Sequence, residues 1–276
     1  MDIRHIALTT LTSRVDMGDL MEVAAALQNQ ATRDLGPIWG IAATVDAFAY
    51  DQVPVGYWPI FVHDHVPDVP GTHQIGQGQP YALVQYGPTW SLTASHECME
   101  MLVDPSGMMT RPGPSIMPNQ GRVEYLVEVC DPCESVSFAY SINGVTVSDF
   151  HTPHYFDPVM ASGVRYSFRG EITGPRQILP EGYLAWRTSD GVWHQAIADA
   201  GGHLMARVLT PSASRGQQSF REFVDSQTPN HHQKLSNSVR TAGVAAALAD
   251  ARDASYHYSR RFLDDIMQRF GEPPLV

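Results

Sequence analysis

Glycine and proline punctuate this chain so often that long uninterrupted elements are scarce. There are 22 glycines and 20 prolines among 276 residues. Each one either frees the backbone for a turn or withholds an amide from a helix or ladder. A helical bundle is disfavoured by such punctuation, and short strands with a few helices between loops are favoured, so a mixed, sheet-containing fold is expected. Hydrophobic residues at 43% and charged residues at 17% suit a folded core better than a disordered chain.

Residues 3–10 read as a first strand. Met17–Gln30 places Leu20, Val23, Ala24 and Leu27 at helical spacing, and Gly36-Pro37 is expected to break that helix. Strands follow at Trp39–Ala47, Tyr57–His63 and Pro80–Tyr86, then a helix over Ser91–Val103. This order indicates an α+β or α/β layered domain. Residues 106–121 lack periodicity and read as a long loop. Val123–Val129 alternates like a half-buried strand. Asn143-Gly144 marks a hairpin between Tyr140 and Val147, and a second hairpin is expected from Tyr183–Arg187 and Val192–Ile197. One domain over 1–205, a polar linker over 206–235 and a helical tail over 236–276 complete the expected organisation. The tail carries apolar residues from Val244 to Ile266 and stops at Gly271 and Pro273-Pro274. It suits either simple docking or self-association and partner binding.

The net charge of -11, with no basic run, excludes a nucleic-acid footprint and disfavours anionic membranes. No apolar stretch reaches the roughly 18–20 residues that span a bilayer. The first residues lack a charged and apolar leader pattern, so a cytoplasmic protein is expected. Three cysteines, Cys98, Cys130 and Cys133, are too few for a disulfide scaffold.

The chemistry concentrates in Ser95–Pro105, SHECMEMLVDP. Residues four apart on a helix project side by side, so His96 and Glu100 can grip one ion while Glu97 stands beside it as a general base. At about 100° per residue, Leu92, Cys98, Met99, Leu102 and Val103 form an apolar arc. His96, Glu97, Glu100 and Asp104 form the adjacent one. Asp104 precedes Pro105 and should end the helix, with its carboxylate available to orient a ligand. The alternative is an ordinary amphipathic helix with a solvated acidic face.

The string W-S-L-T-A-S-H-E-C-M-E-M-L-V-D-P, followed by E-V-C-D-P-C at Glu128–Cys133, resembles a group of zincin-like metallopeptidases. Their pattern runs His-Glu-x-x-Glu, Asp-Pro, then Glu-x-x-Asp-x-Cys. Gly71–Tyr81 and Val147–Phe156 fit the same pattern, and the resemblance covers about residues 35–200. It implies a zincin-like α+β fold with Pro80–Tyr86 as the edge strand that would pair with an extended peptide. It also implies a zinc ion (Zn2+) and a peptide or protein substrate. Both Glu128 and Asp131 match the second motif as third ligand. Glu128 is slightly favoured, because on a strand it would face away from Val123, Tyr125, Val127 and Val129. Zinc acidifies water and polarises carbonyls; Glu97 would take the water's proton and return it to the leaving amine. Tyr155, His151 and His154 are candidates to steady the oxyanion.

Other signals rank lower. Cys130-x-x-Cys133 suits a redox pair but follows a strand and opens no helix. His63 with His65, which would alternate on a strand and share a face, and His151 with His154 resemble metal-ligand pairs of a second metal or a dioxygenase-like site; loop histidines with no ligand role are the favoured reading, and His231-His232 lies in polar sequence. The main rival to a hydrolase is a binding or structural protein that keeps the fold without turnover.

Overall fold

The structure, a computed structural model, describes residues 2–66, 69–76, 78–210 and 219–228. The chain is α+β. Where one domain is expected over 1–205, these residues gather into two compact units. One holds the chain up to Pro105 together with Ser141–Val147, and the other holds Ser106–Tyr140 with Ser148 onward.

The first unit begins with β1 (Ile3–Thr10) and α1 (Met17–Asn29). Asp16 caps α1 by accepting from the Asp19 amide, and the Asp19 side chain reaches back to the cap. Leu20, Val23, Ala24, Ala26 and Leu27 form its buried stripe. Gly36-Pro37 does not break the helix as expected. The backbone widens into a π-helical segment, Gln30–Leu35, and runs on into α2 (Gly36–Trp39). Pro37 lies in the first turn of α2, where a missing amide costs nothing. Gly40, at φ 69°, finally stops the run.

Four more strands follow: β2 (Ala42–Ala47), β3 (Trp58–His63), β4 (Gly71–Gly76) and β5 (Gln79–Gln85). The sheet order is β2-β1-β3-β5-β4, parallel except for the antiparallel β4–β5 pair. The edge strand expected at Pro80–Tyr86 is therefore interior. A tight turn through Gly78, at φ 82°, folds β4 along its outer side, so β4 is the edge.

Period-two alternation divides this sheet's two faces. Ala7, Phe61, Tyr81 and Leu83 form one cluster with Val53 and Val66, and Phe48 and Tyr57 pack onto it. The intervening residues, Leu8, Ile60 and Ala82, stand in register with His73 on β4. That second face receives α3 (Trp90–Val103), because Gly71 of β4 lies directly against Thr93 and Glu97.

The second unit opens with β6 (Thr110–Pro114) and β7 (Arg122–Leu126). β6 lies inside the stretch expected to be a loop, and its prolines hid it. As a sheet edge it tolerates residues that donate no hydrogen bond. The hairpin β8 (Tyr140–Ile142) and β9 (Val145–Val147) forms as expected, with Asn143 and Gly144 at φ 52° and 89°. Within the first unit, the Ser91 hydroxyl donates to the Thr146 carbonyl at 3.1 Å. Three further strands, β10 (Tyr183–Arg187), β11 (Trp193–Ala198) and β12 (Leu204–Val208), complete an antiparallel sheet ordered β12-β11-β10-β7-β6.

The span 206–235, expected to be a polar linker, contains the end of β12 and α4 (Phe220–Asp225). Ser219 and Glu222 form a capping box, and Phe220 and Phe223 lie against Trp193. Two aromatic rings anchor what composition made look like a connector. The helical tail expected over 236–276 lies outside the described residues. Among those described, no helix is long and apolar enough to cross a membrane.

One carboxylate in the second unit makes a direct prediction. Asp149 is wholly buried, and its Oδ1 accepts the amides of Phe150 and Arg169 at 2.9 and 3.0 Å. Burial pushes its pKa up from 3.8 to about 6. The raised folded value means this group's contribution is most favourable below the unfolded pKa and is lost as pH rises through about 6. Asp149→Asn keeps the accepting oxygen and removes the charge. We expect it to stabilise the fold at pH 7.5, by an amount on the order of 2–3 kcal/mol, with a higher melting temperature, and to change little at pH 4. Equal effects at both pH values, read by scanning calorimetry, would contradict this assignment.

Candidate metal centre on the third helix

The helix α3 ends where Asp104-Pro105 predicts: Asp104 has φ -122°, and its amide donates to the Glu100 carbonyl at 2.7 Å. Its acidic residues do not form a solvated face. Glu97 is 2% exposed and Glu100 is wholly buried, alongside Cys98, Met99, Met101 and Leu102. An ionised carboxylate buried in this way is costly unless it meets a cation, a proton or strong donors.

His96 and Glu100 converge as their spacing requires, with Nε2 and Oε2 3.2 Å apart. Two ligands of one tetrahedral zinc, each bonded at about 2.0–2.1 Å, would stand roughly 3.4 Å apart. The pair therefore fits a shared ion with little adjustment. Next to it, His73, Glu97 and Glu100, all buried, bring one ligand atom each to within 4.8 Å of one another. The described residues thus contain buried histidine and glutamate groups that could hold a metal ion.

Spacing along the sequence does not single out His73. Its Nδ1 lies 3.5 Å from Glu97 Oε2, and its Nε2 donates to the Asp104 carbonyl at 2.9 Å. The signal that could have found it is alternation, which puts Gly71 and His73 on the α3 face of β4. A Cβ on Gly71 would fall 2.7 Å from Glu97 Oε1 and 2.5 Å from Thr93 Cγ2, so only glycine permits this approach. The main-chain carbonyl of Asp104 takes part in this group as the acceptor for His73 Nε2. Behind His96, the Ser95 hydroxyl donates to Gln30 Oε1 at 2.7 Å, and both residues are wholly buried.

Glu128 and Asp131 belong to the second unit. Glu128 lies beyond the end of β7, not on a strand, and its Oε2 accepts from Arg221 Nη1 at 2.8 Å. Arg221, on α4, also donates through Nε to Asp225 at 3.1 Å. Asp131 opens a 3-10 turn, Asp131–Cys133, and lines a small recess with Glu128 and Tyr183. Burial, then Asp131, Asp225 and Glu134, holds the Tyr183 hydroxyl well above its usual pKa.

Tyr155 corrects one expectation. It is wholly buried, stacked on His151, and its hydroxyl donates to the Gln177 carbonyl at 3.1 Å. Burial is also the first cause that raises its pKa well above 10. It is a core residue whose hydroxyl is committed, not an oxyanion donor a substrate can reach. His154 is largely exposed and bonded to Asp157 at 2.8 Å, an ordinary arrangement for a loop histidine.

All three cysteines are reduced and buried. Burial raises the Cys98 thiol strongly, as a core position requires. His63 and His65 do not alternate on a strand. β3 ends at His63, whose Nδ1 faces the carbonyl and amide of His65 at 2.8 and 3.1 Å. His231-His232 lies outside the described residues. Compared with known proteins, the chain matches no family model, no curated protein and no solved structure.

Proposed function

We propose that this chain is a zinc-dependent hydrolase of zincin-like type, acting on peptide or protein substrates. The observation that carries the reading is the convergence of His96 Nε2 and Glu100 Oε2 at 3.2 Å with Glu97 buried beside them. An imidazole and a carboxylate are suitable zinc donors, and zinc would supply Lewis acidity, acidifying water and polarising a carbonyl. Glu97 is the general base, taking the proton from water as its oxygen attacks and returning it to the departing amine. Glu128 or Asp131 as a third ligand remains an expectation of the motif resemblance.

The test is metal analysis of the purified full chain and of His96→Ala and Glu100→Ala, followed by peptide-library hydrolysis. We expect about one zinc per wild-type chain, and loss of zinc and turnover in both variants. Parallel titrations of Glu128→Gln and Asp131→Asn identify the third ligand by a drop in affinity. Wild-type protein that takes up no divalent metal sinks the proposal. Stoichiometric zinc without hydrolysis of any library member favours a zincin-fold binding protein instead.

A further inference from the structure

We propose that His73 is the positioning residue for Glu97, holding the base at the angle hydrolysis needs; this rests on the hydrolase reading above. A main-chain carbonyl only accepts, so the 2.9 Å contact to Asp104 assigns the hydrogen on that side to His73 Nε2. The other ring nitrogen faces Glu97 Oε2 at 3.5 Å. An imidazole edge therefore stands against one oxygen of the carboxylate, in polar contact but too far for a close hydrogen bond.

The ring has little freedom to do anything else. His73 is 1% exposed, and β4 is fixed in register against β5 by the His73–Ala82 pairing. Two residues earlier on the same face, Gly71 leaves room for Glu97 Oε1 and Thr93 Cγ2, both of which an added Cβ would meet. Both carboxylate oxygens thus meet the edge strand, one at a backbone without a side chain and one at an imidazole. A base in water samples several rotamers; this one is held between two fixed points. Such an arrangement, nucleophile activator then orienter, is the logic by which enzymes fix a proton acceptor. The strand that carries it is an edge, so the orienter comes from the outermost element of the sheet.

Two substitutions separate this role from the alternatives, because asparagine places its amide near the Nδ1 position and glutamine near Nε2. His73→Asn keeps a polar group beside Glu97 and gives up the Asp104 carbonyl. His73→Gln does the reverse. In the full chain both are expected to bind zinc like wild type. His73→Asn should retain kcat within about fivefold, whereas His73→Gln should lose on the order of 10²-fold in kcat with KM little changed. Full activity in His73→Gln would mean that only the Asp104 tie matters and would overturn the proposal. A loss of zinc affinity of about 10–100-fold in both variants would make His73 a part of the metal site and overturn it equally.

A second measurement does not depend on turnover. In protein labelled at glutamate side-chain carboxyl carbons, the Glu97 resonance is identified by its absence in Glu97→Gln. It should shift and broaden in His73→Gln and stay close to wild type in His73→Asn. An unmoved resonance in His73→Gln overturns the inference whether or not the chain hydrolyses peptides. Absence of zinc in the wild type, by contrast, strikes at the hydrolase reading alone.

Discussion

Replacing Arg221 by alanine is expected to destabilise the second unit by about 3–5 kcal/mol, the usual cost of removing one partner from a buried ion pair. The Arg221 and Glu128 side chains are 3% and 6% exposed and meet at 2.8 Å. Asp225 adds a second carboxylate at 3.1 Å, and the Arg221 amide donates to the Gly107 carbonyl at 3.0 Å. Alanine leaves that last bond intact, so the loss isolates the guanidinium. At roughly 4 °C per kcal/mol for a unit of this size, between the values for smaller and larger domains, the melting transition should fall by on the order of 10–20 °C. A fall of under 2 °C would show that the pair is not formed in solution.

The companion variant decides what Glu128 is for. If its chief business is to neutralise Arg221, the double variant Arg221→Met, Glu128→Leu should recover most of the lost stability. Removing both charges also removes both desolvation costs. In that case Glu128→Gln alone would lower stability and leave zinc affinity intact. If Glu128 is also a metal ligand, zinc affinity falls in Glu128→Gln while Arg221→Ala, which leaves the carboxylate in place, retains metal. Stability and affinity therefore separate two roles that a sequence pattern merges into one.

What was legible in the sequence follows the range of the interactions involved. β1, β3 and β5 are central strands buried on both faces and declare themselves as apolar runs. The elements missed are edges or very short. β4 begins and ends with glycine, β6 contains two prolines, and β12 exposes Leu204, Met205 and Val208, so none shows the expected alternation. α4 has six residues, too few to display helical periodicity. The same rule governs the site. His96 and Glu100 are four residues apart on one helix and can be read from spacing. His73 meets α3 only because β4 pairs with β5, and Arg221 reaches Glu128 across 93 residues. Val127 and Val129 continue the alternation of β7 and make Glu128 look like a strand residue, but the ladder stops at Leu126. Burial was also invisible: the charged arc of α3 looks solvated on a helical wheel, yet Glu97 and Glu100 are inside.

Glu97→Gln should remove about 10²–10⁴-fold from kcat while leaving zinc content, fold and KM close to wild type. Glutamine has the same shape, so it fits the narrow space against Gly71, where an added Cβ would lie 2.7 Å from Oε1. What changes is basicity: an amide cannot take a proton from water or hold one for the departing amine. Zinc should stay, since the proposed ligands His96 and Glu100 are untouched and their 3.2 Å approach does not involve residue 97. Stability should hold or rise slightly, because a carboxylate 2% exposed is costly to bury and an amide is less so. The measurement is a kcat and KM determination on the best peptide from the library, paired with metal analysis and a melting curve on the same preparations. Unchanged turnover would remove Glu97 from the mechanism, and loss of zinc would make it a ligand, with His73 and Glu100 as its natural partners on the buried side of α3. Loss of kcat alone, with metal and fold intact, is the one result that requires a base at this position.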